Sequence, residues 1–455
     1  MKQGELHKFT VTGINNEGEG IVRNAGDGFV FFVPDALPGE EIMCRIVSLK
    51  KSYGMLKVIE RYNASPMRIP PACPSFGRCG GCQLQHIAYG SQLALKTQTV
   101  ADALRRIGGA ENPDVAGCVK SPSEWGYRNK ASLPVQRTAG EKFMAGFYKP
   151  RSHDIVEFER CPVLLPGIEK NILSVIGDIR KNNFAGYSIK NNVIDIIRHI
   201  VFRSSKFLEE SLCGIVGSRK LNDTEIKKLI SIAEKNKASI NGFIYNKNIS
   251  AGNFIWGDKF TTLHGASVMH ESLAPYKFAF EISSFFQVNS EQALNLYNYA
   301  SKLALENSPN NILELYSGIG SMTAFLAAGA KNVAAVESWE PAAKYMEENA
   351  EINGFNNIKG YTGTAEKVAN DLSGKKFDVV VLDPPRSGCS QEVIGSIIKI
   401  APERIVYVSC NPATLARDIK LFSAYNYKLI TAQPFDMFPQ TGHVETVVLM
   451  SREKE

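Results

Sequence analysis

No stretch of this chain approaches the roughly 20 apolar residues that a membrane-spanning helix needs, so no membrane partner is expected. Its opening segment, MKQGELHKFT, lacks the apolar core of a secretory leader, which points to a cytoplasmic protein. Cysteines number nine, an odd count at spacings that do not suggest a secreted disulfide framework. No internal repeat is present. A strong excess of one charge is also missing: 52 Lys and Arg stand against 46 Asp and Glu, a formal net charge of +6. That is only a mild lean toward acidic partners. What is there is ordinary for a globular protein, with 44% hydrophobic and 22% charged residues. At 455 residues the chain is long for one core, and two or three domains are expected.

The first sixty residues hold five short alternating segments: Lys8 to Ile14, Gly18 to Arg23, Phe29 to Val33, Glu41 to Leu49 and Met55 to Tyr62. Asn, Gly, Asp and Pro separate them, a spacing that predicts a small antiparallel barrel of the OB type. Arg45, Lys50, Lys51, Lys57 and Arg61 would give it a basic face, which suits nucleic acid or simply a solvated edge. An irregular Pro-, Gly- and Cys-rich stretch follows to residue 90, then a helix over 91–107 stopped by Gly108-Gly109. Strand-like segments and one clear helix, Asp223 to Asn236, fill 120–260. From about 280 strands and helices alternate, as in a parallel sheet flanked by helices.

In "CPSFGRCGGCQLQH", Cys73, Cys79 and Cys82 are separated by five and two residues, and Gly80-Gly81 lets the backbone fold around them. Three thiols this close suggest ligation of a metal or cluster, and both zinc and [4Fe–4S] sites want a fourth ligand. Cys118 and Cys161 are the candidates. A zinc ribbon would use two CxxC pairs, and only one exists. His86 reads as ordinary packing.

"LELYSGIGSMTAFLA" is a strand, a tight turn at Ser317-Gly318-Ile319-Gly320 and a helix start, and the next strand ends on Glu337. Glycine in the turn lets the backbone approach a ligand, and a terminal acid suits ribose hydroxyls. Nicotinamide and S-adenosylmethionine sites share this pattern, and Thr323 stands where a dinucleotide fingerprint has its third glycine. "DVVVLDPPRSG" separates them, because Asp-Pro-Pro after the fourth strand marks enzymes that methylate nucleic-acid bases. Its prolines fix a rigid loop, and Asp383 faces cofactor or base.

"VYVSCNPATLARD" puts Cys410 at the end of a fifth strand. Methylation of a ring nitrogen needs no thiol, whereas carbon 5 of a pyrimidine must be activated by a thiolate adding at carbon 6. A base must then remove the carbon 5 proton. "FPQTGHVETVVLM" offers His443 and Glu445 for that role.

With "FFQVN", "LELYSGIG", "LDPPRSG", "VSCNPATLARD" and "FPQTGHVE" in one chain, the sequence resembles the bacterial RNA uracil-C5 methyltransferases, which form 5-methyluridine. The resemblance implies an α/β fold, with a Rossmann-like S-adenosylmethionine-dependent catalytic domain over 271–455. It also implies a TRAM barrel over 1–62 and a mixed α+β central domain over 63–270. It implies Cys410 as nucleophile and Glu445 as base. Gln287, Tyr316, Gly318, Glu337 and Asp383 become cofactor contacts, and Cys73, Cys79, Cys82 and Cys161 ligands of a [4Fe–4S] cluster. "GYRNKA" and "GFYKPRSHDIVEFERCP" are further family stretches of the RNA-facing central domain, and helix 91–107 is expected to pack on the catalytic domain. Barrel and cluster point to 23S rRNA, with the T-loop of tRNA as the alternative substrate. A monomer without an obligate protein partner is expected. Ser321 and Thr364 depart from the family's usual residues near the cofactor.

Two competing readings are an RNA cytosine-C5 methyltransferase and a non-catalytic RNA-binding factor. The first generally has proline before its catalytic cysteine, where this chain has Ser409. The second leaves Asp383, Cys410 and Glu445 without a purpose.

Overall fold

A computed structural model describes residues 1–137, 143–184, 196–250, 252 and 254–453. In its N-terminal part, six strands form one sheet in the order Leu6–Thr10, Glu41–Leu49, Tyr53–Arg61, Val30–Val33, Gly20–Arg23, Gly13–Ile14. The expected first strand is thus split. Its two halves lie at opposite margins of the sheet with only Val11 and Thr12 between them, so the sheet closes on itself. Alternation decides what faces inward: Ile42, Cys44 and Ile46 are buried while Glu41, Arg45 and Val47 are exposed. Gly54 is required here, since a Cβ would lie 2.5 Å from the Phe31 ring. Of the five expected basic side chains, Arg45, Lys50, Lys51 and Lys57 are exposed. Arg61 instead turns to the buried Glu40 at 3.1 Å and to Asp35 at 3.3 Å, because a carboxylate out of water needs a cation.

The central part is a seven-stranded sheet, Lys259–Gly265, Gly242–Lys247, Ser211–Gly217, Ile197–Ser204, Lys130–Arg137, Phe143–Tyr148, Ile155–Glu157. Helices Pro166–Lys181 and Asp223–Asn236 share its apolar core. The second starts where predicted, with Asn222 and Glu225 forming a reciprocal capping box. A hairpin, Val268–Leu273 with Tyr276–Glu281, leads into the last part.

There a second seven-stranded sheet runs Ile358–Thr362, Asn332–Glu337, Asn311–Leu315, Val379–Leu382, Arg404–Ser409, Glu445–Arg452, Tyr427–Phe435. The first five are parallel, and Glu445–Arg452 is antiparallel to both neighbours. Ser290–Leu305, Ser321–Ala327 and Glu340–Ile352 cover one face. Ala365–Asp371, Gln391–Ile400 and Pro412–Ser423 cover the other, joined by Tyr89–Arg106 from far earlier in the chain. That early helix packs on Pro412–Ser423 and Tyr427–Phe435. Beyond it, Val115 and Val119 bridge to Ala432 and Phe435 and extend the sheet edge. Among the described residues no helix is long and apolar enough to cross a membrane.

Candidate active site

Strand order reverses between Asn311–Leu315 and Val379–Leu382, and a crevice opens at such a switch point beyond the carboxyl ends of the strands. Tyr316, Gly318, Glu337, Asp383 and Cys410 stand at strand ends along this edge. Tyr316 follows the first strand with φ +67, a left-handed backbone that only a held residue keeps. Gly318 (φ +58) and Gly320 (φ +83) complete the turn. A Cβ on Gly320 would meet Met346 at 2.9 Å, whereas the space over Gly318 is open. Glu337 closes the second strand and accepts from the backbone N–H of Gly318 at 2.9 Å and of Trp339 at 2.7 Å. Asp383 follows the fourth strand. Burial pushes its carboxyl up to about 7. Gln287 is buried on the loop whose carbonyls at Ser284 and Phe286 are held by the Arg203 guanidinium.

Cys410 follows the fifth strand, where Asn411 caps helix Pro412–Ser423 by accepting from Ala413 N–H at 3.1 Å. Because Glu445–Arg452 runs antiparallel, its first residue sits at the same sheet edge as the ends of the parallel strands. Ser409 registers with Thr446, so Cys410 and Glu445 are the next residues out on adjoining strands. Burial first, then Glu445, pushes the Cys410 thiol up to about 11; Asp383 adds to this and Arg386 opposes it. Glu445 is held well above the usual carboxylate range by burial and by Asp383, again against Arg386. His443 is exposed, and partial desolvation, then Arg386, Lys96 and Arg128, lower its pKa.

Segment 436–444, which leads into Glu445, is held from every side. Buried Lys96 pairs with Asp436 and donates to the Phe438 carbonyl at 3.1 Å. Gln92 bonds the Gln440 side chain at 3.0 Å, and its own amide oxygen accepts from Gln440 N–H at 3.1 Å. The N–H groups of Gln83 and Leu84 donate to the Gln440 carbonyl. Tyr127 Oη donates to Pro439 O at 2.9 Å, and Asn289 to Met437 O at 3.2 Å.

Cys73, Cys79, Cys82 and Cys161 line one cavity of about 380 Å³, which Arg128, Arg386, Thr441 and His443 also line. Burial raises the Cys82 thiol to about 11, with Cys79 and Cys73 adding to it, and that of Cys161 to about 12, with Cys82 adding most after burial. Cys118 lies elsewhere, its N–H donating to Thr97 beside the early helix. Among the described residues no three His, Cys, Asp or Glu side chains converge on one metal ion. His86 is buried and packs tilted against Phe76, ring centroids 5.4 Å apart, and does not itself line the cavity. Ser321 contacts the Tyr297 hydroxyl at 3.3 Å, and Thr364 caps helix Ala365–Asp371.

Sequence reasoning gave no role to Lys96, Gln440 or Arg386. The first had a signal: Gln92 and Lys96 stand in the same i,i+4 row as Val100 and Leu104, all four buried.

Residues 266–453 match the family described as tRNA (uracil-5-)-methyltransferase. An uncharacterized RNA methyltransferase of Halalkalibacterium halodurans is 36% identical over 99% of this chain and 98% of its own length. One from Clostridium acetobutylicum is also 36% identical, over 99% and 98%. Among solved structures, the Pyrococcus abyssi tRNA (uracil-54, C5)-methyltransferase, in complex with S-adenosyl-L-homocysteine, superposes with a TM-score of 0.77 at 29% identity. It covers 98% of this chain and 100% of its own.

Proposed function

We propose that this chain, which belongs to the RNA (uracil-5-)-methyltransferase family, methylates carbon 5 of a uridine through a covalent adduct on Cys410. The observation that carries this is the placement of Cys410 and Glu445 side by side at the crevice edge. S-adenosylmethionine, when bound, supplies the methyl group. The residues present fit it: Gly318 leaves an open cradle over the turn, and Asp383 is a carboxylate with no hydrogen-bond partner among the described residues. Gln287, Tyr316, Gly318, Glu337 and Asp383 would hold it.

The Cys410 thiol loses its proton to solvent, and the thiolate adds to carbon 6 of the uracil. The electron pair of the ring double bond moves toward carbon 5, which becomes nucleophilic. Once carbon 5 is methylated, Glu445 takes its proton, the ring double bond re-forms and the thiolate leaves. The ring face at carbon 6 is covered in a stack, so the uridine must be turned out of it, at least cost in a loop.

The four cysteines fit a [4Fe–4S] cluster better than zinc. All four line one cavity, and each iron of a cluster takes one thiolate. Such a group would brace the fold, since Cys410 and Glu445 already cover the chemistry. The TRAM-like barrel and the cysteine loop, the features that the resemblance ties to ribosomal members, favour 23S rRNA. A second reading, the tRNA T-loop, is favoured by the P. abyssi enzyme, which acts on tRNA with a chain matching 98% of this one. Mapping 5-methyluridine lost on deletion separates the two.

The mechanism is tested on a denaturing gel. Glu445→Gln, given target RNA and S-adenosylmethionine, should form the methylated adduct without releasing it and run as a shifted band. Cys410→Ala and the double variant should show none. A shifted band without Cys410 would name another nucleophile. Normal turnover by Glu445→Gln would move the base to His443.

A further inference from the structure

Loop 284–288 leads from the hairpin into helix Ser290–Leu305 of the catalytic part, yet residues of the central part hold it. Arg203, on strand Ile197–Ser204, donates to the carbonyls of Ser284 at 2.5 Å and Phe286 at 3.1 Å. Asn129 donates through its side chain to Gln287 O at 2.9 Å and through its backbone to Val288 O at 2.8 Å. Four of the five carbonyls from Ser284 to Val288 are thus fixed by two residues that precede the hairpin. Gln287 itself is 4% exposed, and its side-chain amide makes no hydrogen bond among the described residues. A buried amide left unmade is costly, so a fixed loop that keeps one free suits a ligand.

A guanidinium is an expensive way to hold that loop. Arg203 is 1% exposed, and burial pulls its pKa down to about 9 against the opposing charge of Glu271. Among the described residues Glu271 makes no ion pair with it. Its oxygens accept instead from Ser205 Oγ at 2.7 Å, Ser290 Oγ at 2.8 Å and Lys206 N–H at 2.8 Å. What distinguishes Arg203 is shape. Its Cζ lies over the Phe280 ring, 4.5 Å from the centroid, and Phe280 stacks on Phe286 at 4.7 Å. A planar fork can face a ring and reach two carbonyls at once, which an ammonium cannot.

We infer that Arg203 is a positioning residue for the cofactor: by fixing Ser284 and Phe286 it aims the free Gln287 amide at S-adenosylmethionine. This rests on the reading of Gln287 as a cofactor contact. Cofactor affinity then depends on the central sheet as well as on the catalytic one.

Binding of S-adenosyl-L-homocysteine to the full-length protein, followed by titration calorimetry, tests this without RNA or turnover. Gln287→Ala and Arg203→Met should each weaken binding about tenfold, the worth of one hydrogen bond. The double variant should bind no more weakly than Gln287→Ala, because Arg203 acts only through that amide. A general loss of packing would instead make the two losses multiply. Arg203→Lys keeps the charge without the fork and should also bind weakly; it takes the place of Arg203→Met in the cycle if the methionine variant does not fold. Parent-like affinity in either arginine variant, or multiplied losses in the double variant, would overturn the inference. Gln287→Ala binding as tightly as the parent is a separate failure, which would sink the cofactor role of Gln287.

Discussion

Glu314 is 1% exposed, and among the described residues neither carboxyl oxygen has a well-formed hydrogen bond, the Thr323 hydroxyl offering only a partial offset to burial. Burial pushes it up to about 8, well above a carboxyl in the unfolded chain. The folded protein thus holds this proton more tightly than the unfolded one, so the group's contribution is most favourable below about pH 4.5 and is lost as pH rises toward 8. Glu314→Gln removes the penalty. Urea unfolding should find the variant equal to the parent near pH 4 and more stable by about 3 kcal/mol at pH 7; a constant difference across that range would contradict the assignment. The sequence displayed Cys410, Asp383 and Glu337 because each follows an apolar strand and precedes a sharp turn. It did not display Arg203 as a positioning residue, because what an arginine in a strand holds depends on which groups the fold brings near it.

Helix Tyr89–Arg106 was legible from its apolar spacing and its glycine stop, and its place on the catalytic sheet was expected only from the resemblance. Its polar buried row was the part that spacing could not interpret. Lys96 is 1% exposed and Asp436 fully buried, and they meet across 340 positions of sequence. Removing one member of such a pair leaves a charge stranded out of water. Lys96→Met should therefore cost about 3–5 kcal/mol in urea unfolding and depress methyl transfer, because segment 436–444 loses its anchor. Adding Asp436→Asn should return much of the stability, since no buried charge remains. A single variant as stable as the parent would mean that the pair contributes nothing. The barrel shows the opposite failure: its strands were readable from turn residues, but the split of the first strand across both margins was not, since pairing partners leave no local mark.

For the molecule as a whole, the cysteine loop gives the plainest test. Protein purified without oxygen should be brown and carry about four irons per chain. Cys161→Ala should bleach it, whereas Cys118→Ala, whose side chain lies away from the cavity, should not. Colourless protein with one zinc per chain would end the cluster reading. Shifts of composition along the chain marked three stretches; how they pack on one another left no local mark. At Gly442 a Cβ would lie 1.5 Å from the Asn16 carbonyl, so barrel and catalytic loop touch backbone to backbone. Asn16, Gln83, Gln92, Lys96, Tyr127 and Asn289 all precede segment 436–444 in the chain, and a chain is made and folds from its N-terminus. Segment 436–444 is therefore the last partner to reach contacts offered by six earlier residues. On the proposed mechanism, a growing chain that already carries Cys410 gains its base only when these last residues seat among those contacts.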